Sequence, residues 1–227
     1  MDKILNKDFF VNYWQKKHCV FKNVGDTKLY DWRDLTNDLN RYPHLHGLQI
    51  IEGDDRWCLD KVRSGKMKKP MLSKAEVYER WLENKTIVLP ISEYLKEDFY
   101  NIVKEFEHYF DYGTVNIYCS PGANSKSFPA HADQTENFLF HSEGKVYWKI
   151  YEGFAPDKKG RVIDEFVLEP GDILYIPAFQ YHEVETLEPR ILVSIHFNNK
   201  PGQTLEKFHI SNTVTRPKWY DWDPSKL

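Results

Sequence analysis

Cysteine and net charge are both scarce in this chain, and each scarcity removes a class of explanation. The three cysteines among 227 residues (Cys19, Cys58 and Cys119) are odd in number, scattered and in no metal-type spacing. They argue against a secreted disulfide framework and suit a reducing compartment. Thirty-one Lys and Arg against 34 Asp and Glu leave a formal charge of −3 and a pI near 6.3. That gives no global attraction to nucleic acid or an anionic membrane, although a local basic patch stays open. No apolar run approaches the length of a membrane-crossing helix. The opening MDKILNKDFF carries acidic residues and lacks the apolar stretch of a secretory leader. Also missing are a glycine-rich phosphate loop, a nucleophile elbow, a Cys-X-X-Cys pair, internal repeats and low-complexity segments. The chain is expected to be soluble and cytoplasmic.

What is there is apolar and aromatic: 41% hydrophobic and 15% aromatic residues, enough for a well-formed core. The length suits one domain across 1–227, with a helical and mixed part over 1–112, a β core over 113–200 and a tail over 201–227. Phe9, Phe10, Tyr13 and Trp14 fall on one helical face between Asn6 and Gln15. Cys19–Phe21 reads as a short strand. Asp31 is a candidate N-cap for a second helix. Leu48–Ile51 is a candidate strand, and the basic stretch from Asp60 to Pro70 reads as a solvated loop. Ser73 with Glu76 forms a capping-box signature. Thr86–Leu89 reads as a strand, and Glu93–Tyr109 as an amphipathic helix. From Gly113 the period changes. Strands are expected at 114–118, 137–140, 145–151, 165–168, 173–176, 182–185 and 191–197, separated by Gly and Pro turns. Many short strands at even spacing point to a sandwich or barrel. The aromatic tail (Trp219, Tyr220, Trp222) is expected to pack on that barrel or on a partner.

One set of residues has a clear chemical purpose. His131 and Asp133 lie two apart, so on an extended chain both side chains face the same way. Downstream, Gly171-Asp172 leads through Pro177 to His182, a spacing that returns a second histidine to the first pair across a small barrel. Two imidazoles and a carboxylate on one face of a metal, with open positions opposite, are the facial triad of non-haem Fe(II) oxygenases. Structural zinc would want four closed ligands. His44 and His46 have ligand-like spacing but no carboxylate nearby; His141 and His196, both on expected strands, could line the barrel mouth, but a hydrogen-bonded core histidine is the more frequent outcome.

At these residues the sequence resembles the JmjC-type cupin oxygenases, and within them the ribosomal-oxygenase branch. The resemblance runs through Phe10–Lys17, Val115–Gly122, His131–Phe140 with Gly144 and Trp148, and Gly171–Glu183. Only a brief tail follows Lys200, where that branch carries dimerisation and winged-helix regions. The resemblance implies a mainly β fold with N-terminal helices and a double-stranded β-helix (cupin, jelly-roll) core. It also implies Fe(II) and 2-oxoglutarate as cofactor and cosubstrate, and hydroxylation of a side chain in a protein or peptide, or of another small substrate. His131, Asp133 and His182 would be the catalytic iron ligands. Tyr118, Asn137 and His196 fall where relatives contact or flank the cosubstrate. A homodimer is an open expectation.

Two positions depart from the family. Val146 stands where relatives place a Lys or Arg for the distal carboxylate of 2-oxoglutarate, and Phe128 replaces a threonine. A buried carboxylate without a cation is costly, so another residue must supply the charge. Lys145 could enter through a one-residue slip of its strand. Arg190, at the start of the last strand, could offer a bidentate guanidinium. Lys149 is a weaker choice. The alternatives are a cupin metalloenzyme that does not use 2-oxoglutarate, such as a dioxygenase or isomerase, and a non-catalytic cupin binding module.

Overall fold

The computed structural model describes residues 3–25, 29–41, 47–52, 55–57, 72–107, 109–110, 113–125 and 127–197. His44, His46, the basic stretch 60–70 and the aromatic tail lie outside the described residues. The helices are α1 (Lys7–Asn12), α2 (Trp32–Asn40), α3 (Lys74–Leu82) and α4 (Glu97–Phe106). Asp31 caps α2 and Ser73 caps α3, each completing a capping box with the residue three positions on. Helix α4 begins four residues later than the periodicity predicts. Ile91 turns the chain at φ +54°, and the Glu93 carboxylate accepts the Val115 N–H, so this stretch is committed to the sheet before the helix can start.

The strands are β1 (Cys19–Phe21), β2 (Gln49–Glu52), β3 (Asp55–Trp57), β4 (Ile87–Leu89), β5 (Gly113–Ser120) and β6 (Glu136–Glu143). They continue as β7 (Val146–Phe154), β8 (Val162–Leu168), β9 (Ile173–Ile176), β10 (Gln180–Thr186) and β11 (Arg190–Phe197). Eight form one sheet in the order β1-β9-β6-β11-β5-β4-β2-β3, and three form the other in the order β10-β7-β8. Every pairing is antiparallel. The two sheets enclose a core of Leu139, Val146, Trp148, Ile150, Leu174, Ile176, Val184 and Leu192. This is the mainly β, double-stranded β-helix fold with N-terminal helices.

The larger sheet is covered on both faces, and that explains its strands. Along β6, Phe138 and Phe140 belong to the core shared with the helices, while Leu139 belongs to the core between the sheets. The strand is therefore buried through seven consecutive residues instead of alternating. On its helical side Phe9, Phe106, Phe110, Phe138, Tyr175 and Phe197 meet in ring-to-ring contacts. Each such ring contributes about 1.5–3 kcal/mol by burial. This layer makes the large sheet a rigid wall, and the site opens on its other face.

Candidate metal centre

The three expected ligands converge. The donor atoms of His131, Asp133 and His182 all lie within 4.8 Å of one another, the one such cluster among the described residues. His182 sits in β10, where two residues of that strand span four of β7 between Gln180 and His182. A local irregularity of this kind re-aims a side chain. His131 precedes β6, and its backbone pairs with His182: each donates its N–H to the other's carbonyl, at 3.0 and 2.8 Å. Two of the ligands are thus tied main chain to main chain. Asp133 is held twice, by the Phe179 N–H on its carbonyl at 2.6 Å and by the Asn137 amide on its carboxylate at 3.2 Å. The Thr135 hydroxyl donates to the Asn137 carbonyl oxygen and fixes which way that amide points.

The imidazoles are set for metal binding. Nδ1 of His131 lies 2.8 Å from the Pro129 carbonyl, and Nδ1 of His182 lies 2.9 Å from the Gln180 carbonyl. A carbonyl can only accept, so Nδ1 carries the proton and Nε2 keeps its lone pair. Those Nε2 atoms face Asp133, at 3.9 Å from His131 and 3.6 Å from His182. Burial pushes His182 down to about 4, with His131 lowering it further and Asp133 opposing. His182 is therefore neutral at pH 7 and able to ligate. Two neutral imidazoles and one carboxylate suit a divalent borderline metal such as Fe(II), and three ligands leave positions open. The side chains of His131 and Asp133 are 33% and 45% exposed against 5% for His182, so the open face points to solvent.

A small cavity of about 30 Å3, open to solvent, runs between the sheets from the triad and is lined by Tyr118, Ser127, Phe128, Asn137, Trp148 and Arg190 among others. Among the described residues Arg190 is the largest fully buried side chain, 1% exposed. Its Nε donates to the Ser120 hydroxyl at 3.0 Å and one terminal nitrogen to the Ser127 hydroxyl at 3.3 Å. The other, Nη1, has no partner, and no carboxylate among the described residues pairs with this guanidinium. Burial lowers its pKa from 12.5 to about 10, so it remains a cation at neutral pH. The indole N–H of Trp148, on the same cavity, also lacks a partner. Buried donors without acceptors on the wall of a cleft fit an anionic ligand, which a carboxylate reaching in from the metal would supply.

Lys145 needs correction: it does not enter the cavity. Gly144 holds φ +73° in the β6–β7 hairpin, and a Cβ there would overlap the Pro189 carbonyl oxygen, so the turn admits no slip. β7 runs in register from Val146, and Lys145 points out to pair with Glu169 at 2.9 Å. Lys149 also faces outward, over the Tyr147 ring. His196 sits beside Asn137 in strand register, half-buried and 3.2 Å from the Thr114 hydroxyl, but it does not line the cavity. His141 is a buried core histidine on the Gly144 carbonyl. Phe128 packs between Tyr118 and His131, with ring centroids 6.4 and 5.4 Å away. Sequence reasoning missed Ser120 and Ser127, the two hydroxyls under Arg190, and Phe179. A serine at a strand end or in a loop carries no signal that it will receive a guanidinium.

A family profile described as the JmjC domain matches residues 88–205, a little over half of the chain. "Ribosomal oxygenase 2" of Mus musculus is 30% identical over 222 residues, covering 87% of this chain and 46% of that protein. "Bifunctional lysine-specific demethylase and histidyl-hydroxylase NO66" of Aedes aegypti is 25% identical, covering 89% of this chain and 35% of its own. Among solved structures, the Escherichia coli ribosomal oxygenase YcfD in complex with cobalt and 2-oxoglutarate superposes with a TM-score of 0.64 at 21% identity. That match covers 86% of this chain and 52% of the other. The chain thus spans about half the length, or less, of these similar proteins.

Proposed function

The chain belongs to the JmjC-domain family, and from that premise we propose that it is an Fe(II)- and 2-oxoglutarate-dependent oxygenase hydroxylating a side chain of a protein or peptide. The observation that carries this reading is a single cavity with a His-Asp-His triad at one end and an unpaired buried guanidinium on its wall. His131 Nε2, the Asp133 carboxylate and His182 Nε2 would hold the metal. When bound, Fe(II) with 2-oxoglutarate and O2 supplies the oxidising chemistry, in which the cosubstrate becomes succinate and CO2 and one oxygen atom enters a substrate C–H bond.

The protein's own residues bind, orient and exclude water. Arg190, carried by Ser120 and Ser127, would take the distal carboxylate that Val146 cannot, with Tyr118 on the same wall. Phe128 and Trp148 give this part of the cavity apolar surfaces, which strengthens a charge pair formed there. Asn137 orients Asp133, and Pro129 and Gln180 fix the imidazole tautomers. The exposed flank of His131 and Asp133 admits a substrate too large to enter the cavity, which favours a protein side chain. The mammalian relatives' name, ribosomal oxygenase, supports a ribosomal protein as the first substrate to try.

The test is anaerobic addition of Fe(II) and then 2-oxoglutarate, followed by O2. A visible charge-transfer band and stoichiometric succinate are expected. Iron bound without that band would favour the metalloenzyme that does not use 2-oxoglutarate, and no metal binding would favour the binding module.

A further inference from the structure

Between β9 and β10 the chain turns through Pro177-Ala178-Phe179, and Phe179 stands at φ +69°. Asn and Gly occupy that left-handed region readily, whereas a bulky aromatic residue there is an outlier held against its own preference. Both of its peptide groups are in use at the rim of the metal centre. Its N–H donates to the Asp133 carbonyl at 2.6 Å, and its carbonyl accepts the Ala155 N–H, next to the end of β7, at 2.8 Å. The preceding residue is fastened as well: the Ala178 N–H donates to the Glu136 carboxylate at 3.3 Å, and the Tyr175 hydroxyl donates to the same oxygen at 2.6 Å. Phe179 as a whole is buried, 7% exposed.

We propose that Phe179 is a positioning residue of the metal centre: its buried ring holds its backbone left-handed, and that backbone fixes Asp133. The inference rests on the metal reading above. Its physical content is a balance. Ring burial favours the pinned conformation, and the L-residue's dislike of positive φ opposes it. Asp133 is the most exposed of the three ligands and has no main-chain partner on a facing ligand as His131 and His182 have; the Asn137 amide holds its carboxylate, and the Phe179 N–H holds its main chain.

Four substitutions separate backbone conformation from side-chain packing, with Co(II) as the probe and affinity, visible spectrum and melting temperature as readouts. Phe179→Gly and Phe179→Asn lose the ring but also the opposition to positive φ. Both should bind Co(II) within about three-fold of the unaltered protein, with its spectrum unchanged. Phe179→Ala and Phe179→Val lose the ring and keep the opposition, so they should bind about 10–100-fold more weakly, as loss of a residue supporting a ligand does, with an altered visible band. All four lower the melting temperature, so stability alone does not sort them. If the valine variant fails to fold, the Gly and Ala pair decides. Equal affinity in Gly and Ala, weak or strong, overturns the proposal. Absence of Co(II) binding by the unaltered protein would overturn the metal reading and this inference together, and shows in that protein alone.

Discussion

Replacing Arg190 by Met should raise the stability of the ligand-free protein and weaken its hold on 2-oxoglutarate, two effects of opposite sign from one change. The guanidinium is buried without a counter-anion among the described residues, and its pKa falls from 12.5 to about 10. That drop corresponds to about 3 kcal/mol of destabilisation at neutral pH, within the ~1–4 kcal/mol recovered when buried ions give way to apolar side chains. Met fills a similar volume without the charge. Ser120 keeps its bond to Thr86 at 2.8 Å, so the floor retains a satisfied hydroxyl. For a domain of this size a gain of 1–3 kcal/mol shifts the melting temperature up by about 2–10 °C. Binding moves the other way, because a buried carboxylate left without its cation costs about 2–5 kcal/mol, or roughly 30- to 4,000-fold in affinity. Calorimetric titration of 2-oxoglutarate into the Mn(II)-loaded protein, beside thermal denaturation without ligand, reads both. A cosubstrate affinity within three-fold of the unaltered protein would refute the assignment of Arg190. A stability loss would refute the account of its charge as unpaired.

Two other changes test neighbouring parts of the argument. Lys145→Ala removes only an exposed pair with Glu169, so 2-oxoglutarate affinity in the same titration should be unchanged and stability should move by less than about 1 kcal/mol. Glu136 sits buried under the Pro177–Phe179 turn, and burial raises its carboxyl from 4.5 to about 7 against the hydrogen bonds from Tyr175 and Ala178. Between about 4.5 and 7 the folded protein therefore holds a proton that the unfolded chain has released, so stability falls as pH rises through this window. Glu136→Gln should flatten that slope by up to about 3 kcal/mol in denaturant titrations at pH 5 and pH 8; an unchanged slope would show that another group sets it.

The ligands were legible in the sequence because their geometry is local. His131 and Asp133 share a face by strand parity, and the interval from Gly171 to His182 has one length that returns across a small barrel. The β core was legible in kind but short in extent: β6 shows through only as residues 137–140, since burial on both faces erases the alternation that marks a strand. The missing cation was harder. Lys145 and Arg190 were both candidates, and the choice turned on whether the β6–β7 hairpin could slip. That depends on Pro189 packing against Gly144, a contact between residues 45 positions apart. Phe179 left no trace in the sequence, because nothing in an aromatic side chain announces positive φ.

The same corner offers a further test of the role proposed for Arg190. Val146 opens β7, and Gly144 just before it lies against the backbone of Pro189 and Arg190, where β11 begins. Val146 pairs with Thr186 on β10 and is fully buried between the sheets. The first residues of β7 and of β11 therefore meet at one end of the barrel, where Arg190 lines the cavity and Val146 packs in the core with Leu139, Trp148 and Leu192, which line it too. Two cations there would repel in a low-dielectric space, and none would leave the carboxylate unpaired. One cation is the stable number, so on the reading proposed above valine at 146 and arginine at 190 would act as a single compensated exchange. A double variant should reveal it: with Arg190→Met alone cosubstrate affinity falls, and adding Val146→Lys should restore at least ten-fold of it, since a lysine from β7 enters the space the guanidinium has left. If Val146→Lys does nothing in the Arg190→Met background, the two positions do not share a subsite and the exchange is not compensatory.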